Sequence, residues 1–183
     1  MGNGESSYRR YLSGDDEGMT ELVRDFKDGL IFFLCGFTRD IGTAEELCED
    51  TFVKLAVNKP SFDGRSSFKT FLYTIARNTA LDWKRARKPA ISIDDIAELE
   101  ADERSLEEEY LREERRISVR RAMDKLKDSY RQVLWLTYFE ELSNKETAEV
   151  MGKSVHNIET LVSRARNALK KILEKEGFTY ENI

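Results

Sequence analysis

The sequence has little that could do chemistry. Its 183 residues include one histidine, two cysteines and two prolines. His156, Cys35 and Cys48 cannot build a tetrahedral zinc site without carboxylates. The cysteines lack C-x-x-C spacing, and each lies in a stretch of helical apolar periodicity, where a thiol reads as core. No glycine-rich phosphate loop and no nucleophile motif occurs. An enzyme is therefore disfavoured, and no metal, cofactor or small-molecule substrate is expected. No apolar run approaches the roughly 18 to 20 residues that span a bilayer. The opening "MGNGESSYRR" lacks the apolar core of a signal peptide. Met-Gly followed by Ser6 fits a myristoylation pattern only superficially, because no second anchor flanks it. The expected location is the cytoplasm, without membrane insertion.

Strand signals are also scarce. Period-2 alternation is nearly absent, while 3.6-residue periodicity recurs throughout. Pro60 and Pro89 are the only prolines. The fold class expected is all-α, and the length suits one domain or two small ones.

Charged residues make up 36% of the chain, and the formal net charge is −5. The excess acid is localised. Residues 1–88 hold 14 acidic and 14 basic residues, 89–117 hold 11 against 4, and 118–183 hold 10 against 12. The first half of "PAISIDDIAELEADERSLEEEYLREERRI" has no clear amphipathic period and reads as a solvated tether. Its second half, from about Ser105, could begin the next helix. Two small helical domains, 1–88 and 118–183, are thus expected around an acidic linker, 89–117.

In the C-terminal part, Ser143 and Glu146 form an S-x-x-E capping box. The helix continues through Thr147, Ala148, Val150 and Met151. Gly152 ends it where a left-handed residue is wanted, and Ser154 caps the next helix. A short helix, a tight turn and a longer helix make the helix-turn-helix pattern, whose second helix enters the major groove. Ile158 and Leu161 fill the space between the two helices. His156, Asn157, Glu159, Thr160, Ser163, Arg164 and Arg166 fall on the outer face. Upstream, Leu126, Tyr130, Val133, Leu134 and the run Leu136 to Phe139 are expected in the core.

In the N-terminal part, Met19, Leu22, Val23, Phe26, Leu30, Phe33, Leu34 and Phe37 form one helical stripe. Thr43 and Glu46 suggest another capping box at the head of "TAEELCEDTFVKLAV". Glu45, Glu46, Glu49 and Asp50 face outward there. The helix dipole accounts for the first two, but less well for the second pair. After a loop at Pro60, Asp63 and Gly64, Ser66 or Ser67 caps a helix with an apolar stripe from Phe68 to Trp83. Arg65 to Lys88 holds seven basic residues against one acidic, Asp82. A basic helix with interleaved aromatics suits nucleic acid whose bases are unstacked.

Taken together, the chain resembles the extracytoplasmic function (ECF) sigma factors, the compact two-domain sigma subunits of bacterial RNA polymerase. "TAEELCEDTFVKL" is similar to the family's polymerase-docking helix. "FDGRSSFKTFLYTIARNTALDWKR" is similar to its minus-ten recognition and melting segment, and "LSNKETAEVMGKSVHNIETLVSRARNALKKIL" to its minus-thirty-five helix-turn-helix. The resemblance implies core polymerase, promoter DNA and an anti-sigma factor as partners. It places polymerase docking on Glu45, Glu46, Glu49 and Asp50. It places minus-ten contacts on Phe62, Arg65, Ser66, Ser67, Lys69, Tyr73, Arg77, Asn78, Lys84 and Arg85. Minus-thirty-five contacts fall on Ser154, His156, Asn157, Glu159, Thr160, Ser163, Arg164 and Arg166. Glu159 stands where the family usually has Lys, which implies a different promoter preference. The alternatives are a helix-turn-helix repressor acting without polymerase and an interaction protein that binds no DNA. The repressor leaves the basic segment 65–88 and the acidic face unexplained, and the interaction protein would make Arg164 and Arg166 solvated surface.

Overall fold

The computed structural model describes residues 4–87 and 119–176. All regular structure among them is helical. The N-terminal part holds α1 (Glu5–Leu12), α2 (Glu17–Thr38), α3 (Ile41–Asn58) and α4 (Phe68–Ala86). The chain resumes in helical turns at 119–124. It continues through α5 (Asp128–Leu134), a π-helical turn (Trp135–Phe139), α6 (Asn144–Met151) and α7 (Val155–Lys175). The linker expected at 89–117 lies outside the described residues.

α2 is the central strut. Its stripe Leu22, Phe26, Leu30, Phe33, Leu34 and Phe37 is buried as expected, and Ile31 and Cys35 are buried as well. A helix apolar around most of its circumference is one that other elements surround. α1, α3, α4 and α5 all pack on α2. Tyr8 anchors α1, donating its hydroxyl to the Pro60 carbonyl at 2.7 Å. The rings of Tyr8, Phe26, Phe62, Phe68 and Phe71 interlock at centroid spacings of 5.2–6.2 Å. Burial drives the Cys35 thiol up to about 11 and the Cys48 thiol up to about 12. Both stay neutral and unreactive, as core thiols do.

The caps follow the sequence with one correction. Ser67 caps α4, accepting from the Thr70 amide at 3.2 Å. Ser143 and Glu146 form the complete capping box of α6, and Ser154 accepts from the Asn157 amide at 3.2 Å. α3, however, begins before Thr43. Asp40 is its cap, accepting from the Thr43 amide at 2.7 Å, so Thr43 sits inside the first turn. The acid at a true N-cap outcompetes a Thr three residues later.

α6, Gly152 and α7 complete the helix-turn-helix. Gly152 takes φ 61°, and the Lys153 amide reaches back to the Ala148 carbonyl at 3.0 Å. That pattern closes the end of α6 and turns the chain sharply into α7. α7 packs on α5 and α6 through fully buried Ile158 and Ala165, with half-buried Leu161, Val162, Leu169 and Ile172 around them.

A second correction concerns the aromatics ahead of α6. Leu136 is buried, but Tyr138 and Phe139 are about half exposed. The π turn is the reason: the Glu140 amide bonds the Trp135 carbonyl, five residues back. The wider turn stacks Trp135 on Phe139 at 4.5 Å, instead of turning both rings inward.

Candidate nucleic-acid interface

Three surfaces carry the residues singled out in the sequence. The first is α3. Glu45, Glu46, Glu49 and Asp50 are all exposed and lie together. Their row continues, at four-residue spacing, into Val53 and Val57, which are 56% and 74% exposed. Glu45, Glu49, Val53 and Val57 therefore form one stripe, acidic at its start and apolar at its end. The valines escaped notice because a β-branched residue in a helix ordinarily reads as core.

The second surface runs along α4 and the loop before it, where the ten expected residues separate into groups. Arg65, Asn78 and Arg85 are exposed, and Ser66 is half exposed. Arg65 and Arg85 pair with Asp63 and Asp82 at 3.1 Å. Phe62 is half buried, wedged against Phe68 and Phe71. Tyr73 departs from expectation. It is fully buried, its ring 5.3 Å from that of Phe33. Burial first, and the Glu140 carboxylate second, hold its phenol well above the usual range. In this arrangement Tyr73 is core, because it lies on the face of α4 turned toward α2.

The remaining four residues of the set meet the C-terminal domain. Ser67 donates to Glu146 Oε1 at 2.9 Å, and Thr70 beside it donates to the same oxygen at 3.3 Å. Lys69 Nζ lies 3.1 Å from both the carboxylate and the backbone carbonyl of Glu140. Arg77 is half buried under the turn at Gly152, where a Cβ would sit 3.3 Å from its guanidinium. Lys84 pairs with Asp128 at 3.3 Å.

The third surface is the outer face of α7. Ser154, His156, Asn157, Glu159, Ser163, Arg164 and Arg166 are exposed there, and Thr160 is half exposed. His156, Thr160 and Ser163 lie opposite Ile158 and Ala165, with Asn157 and Arg164 on one flank and Glu159 and Arg166 on the other. Ser154 spends its oxygen on the helix cap. A helix with a firmly packed back and a polar front bearing two arginines can lie in a major groove. There it can offer donors to phosphates and to guanine edges.

No helix among the described residues is long and apolar enough to cross a membrane. Among those residues, no group of His, Cys, Asp and Glu is arranged to hold a metal ion.

Comparison with known proteins agrees with this geometry. Residues 22–89 match the family model for Sigma-70 region 2, and residues 116–169 match that for Sigma-70, region 4. The RNA polymerase sigma factor YlaC of Bacillus subtilis is 36% identical over 163 residues, spanning 87% of this chain and 94% of that one. The ECF RNA polymerase sigma factor SigW of the same organism is 31% identical, over 90% of this chain and 94% of its own. Among solved structures, the sigma factor RpoE of Bartonella quintana, in complex with the anti-sigma factor NepR, superposes with a TM-score of 0.67 at 25% identity. That match covers 85% of this chain and 96% of that one. The chain therefore belongs to the ECF RNA polymerase sigma factors, the subunits that direct promoter-specific initiation of transcription.

Proposed function

We propose the following division of labour. The acidic face of α3, Glu45, Glu46, Glu49 and Asp50, docks on core RNA polymerase, with Val53 and Val57 adding apolar area at the end of the stripe. The loop from Phe62 to Ser67 and the exposed side of α4 hold the melted minus-ten strand through Arg65, Ser66, Ser67, Lys69, Arg77, Asn78, Lys84 and Arg85. The α7 front reads the minus-thirty-five duplex. The observation that carries this reading is the exposed polar surface of α7, where Asn157 and Arg164 on one flank and Glu159 and Arg166 on the other stand exposed over a packed back.

The mechanism follows from the residues. Phosphate contacts from Arg and Lys fix register and orientation, and base-edge contacts in the groove supply selectivity. Flipping a minus-ten base out of its stack costs a few kcal/mol, which the polar loop around Arg65 and the Phe62 ring help to offset. The chain performs no covalent chemistry; nucleotide addition belongs to the polymerase, in the cytoplasm. An anti-sigma factor is the expected regulator, a reading supported by the likeness to RpoE, which was solved bound to NepR.

Footprinting of holoenzyme on a selected promoter tests the assignment. Arg164→Ala weakens protection at the minus-thirty-five element and leaves minus-ten protection in place. Protection unchanged at minus thirty-five removes Arg164 from the reading face.

A further inference from the structure

Helix α1 lies outside every surface assigned to polymerase or DNA, and it precedes the region 2 match, which begins at residue 22. It is nevertheless firmly seated on α2. Gly18 lets the two backbones cross in contact, since a Cβ there would come 2.2 Å from the Ser7 carbonyl oxygen. Ser7 donates to Glu21 at 2.6 Å, and Arg10 pairs with Glu21 at 2.9 Å and with Asp15 at 2.7 Å. Gly4 opens the helix against the core, where a Cβ would come 2.4 Å from the Phe68 ring.

From that seat α1 reaches the loop before α4. α3 ends at Asn58, and Lys59 turns the chain out at φ 41°. Two carbonyls at this exit lack ordinary partners. That of Ala56 would accept from the amide of residue 60 if the helix ran on, but residue 60 is Pro and has no N–H. That of Pro60 itself lies in irregular chain. The Tyr11 hydroxyl donates to Ala56 at 3.1 Å, and the Tyr8 hydroxyl donates to Pro60 at 2.7 Å. Burial pushes the Tyr8 phenol up to about 12, so it stays a donor at neutral pH. Lys59 Nζ lies 5.1 Å from the centre of the Tyr11 ring. That cation–π contact helps to hold a left-handed residue that is not glycine.

The loop has little else to hold it. Among the described residues, the Tyr8–Pro60 bond is the one hydrogen bond that ties residues 60–66 to the rest of the molecule. Their other polar contacts join Arg65 to Asp63 within the loop. Packing supplies a second tie, and it too runs through α1. Phe62 leans on Phe68 and Phe71, and the Tyr8 ring backs both at 5.2 and 6.2 Å. A loop already fixed in place binds without the cost of ordering it. It also offers its donors at set positions, which is what discrimination between base edges requires. Resting on the sigma-factor reading above, we propose that α1 is the positioning element of minus-ten recognition. Tyr8 and Tyr11 set the path of residues 59–67, and that path decides which base the loop around Phe62, Arg65 and Ser66 accepts.

The test uses the full chain. Tyr8→Phe removes one oxygen and keeps the ring, so the aromatic cluster is preserved. Tyr11→Phe does the same beneath Ala56. Circular dichroism confirms that each variant is folded. Each is reconstituted with core polymerase and selects from forked DNA with a randomised single-stranded minus-ten arm and a randomised minus-thirty-five duplex. Wild-type holoenzyme is expected to enrich one base over the others within the arm. Tyr8→Phe is expected to cut that enrichment about fivefold, the scale of one lost hydrogen bond, and Tyr11→Phe to lower it in the same direction. Minus-thirty-five preferences are expected to stay as in the wild type. A spin label at Ser61→Cys reads the loop in the free chain, where both native cysteines are buried. Its spectrum is expected to sharpen in Tyr8→Phe as the loop gains motion. Unchanged arm enrichment in folded Tyr8→Phe, whatever its melting temperature, makes Tyr8 a purely structural residue and overturns the proposal; so does an unchanged label spectrum. A wild-type holoenzyme that enriches no arm sequence overturns the sigma-factor reading and the proposal with it. The two failures are therefore told apart by the wild type alone.

Discussion

At the scale of single residues, the helix-turn-helix is the most legible part of the molecule and α4 the least. Gly152 was marked by its place after Met151 alone, and its φ of 61° bears that out. Gly152→Ala puts a side chain into the left-handed region, at about 1 kcal/mol, with a new contact 3.3 Å from the Arg77 guanidinium. The midpoint of thermal unfolding should fall by several degrees; an unchanged midpoint would mean the turn relaxes freely. Glu159 stands exposed on the α7 front. Glu159→Lys should shift base preference at the minus-thirty-five element in a binding selection. A uniform gain across all sequences would show instead that Glu159 only repels phosphate. Tyr73 was not legible. Its place among basic residues suggested a base-stacking ring, but its partners Phe33 and Gly29 lie some forty residues earlier, and only the fold turns it inward.

At the scale of elements, local chemistry decided most of the boundaries. Ser67, Ser143 and Ser154 each cap the helix that follows, because each accepts from an amide that has no intrahelical partner. Ser143→Ala should cost about 1 kcal/mol by denaturant unfolding. α3 is the exception: the expected cap was Thr43, and Asp40, three residues earlier, takes the role. The π turn was not legible either, since its extra residue per turn leaves no trace in hydropathy and is visible only as the exposure of Tyr138 and Phe139. The α3 stripe gives the element-scale prediction. Val57→Asp should weaken association with core polymerase in a pull-down titration. It should leave thermal stability unchanged, because Val57 is 74% exposed and supports no packing. Wild-type affinity in that variant would confine docking to the four acids.

At the scale of the whole molecule, the all-α class and the two functional units followed from periodicity and charge partition. Their mutual packing did not. Its signals were present but ambiguous. Gly29 and Gly36 sit in the apolar C-terminal half of α2, and Ile31 and Cys35 widen its buried face beyond one stripe. Read locally, the glycines are merely poor helix formers; beside Glu140 and Gln132 they become the seam. The charge partition takes on a second meaning here, because Asp128, Glu140 and Glu146 sit against Lys84, Lys69 and Ser67 of the other domain. The pairs at Asp128 are partly exposed and individually weak, whereas Lys69–Glu140 is mostly buried. The central claim is that this chain confers promoter selectivity on RNA polymerase. Run-off transcription from a promoter library, with core polymerase alone and with core plus the protein, tests it most directly. The account predicts discrete start sites only when the protein is present; products no different from those of core alone would contradict it.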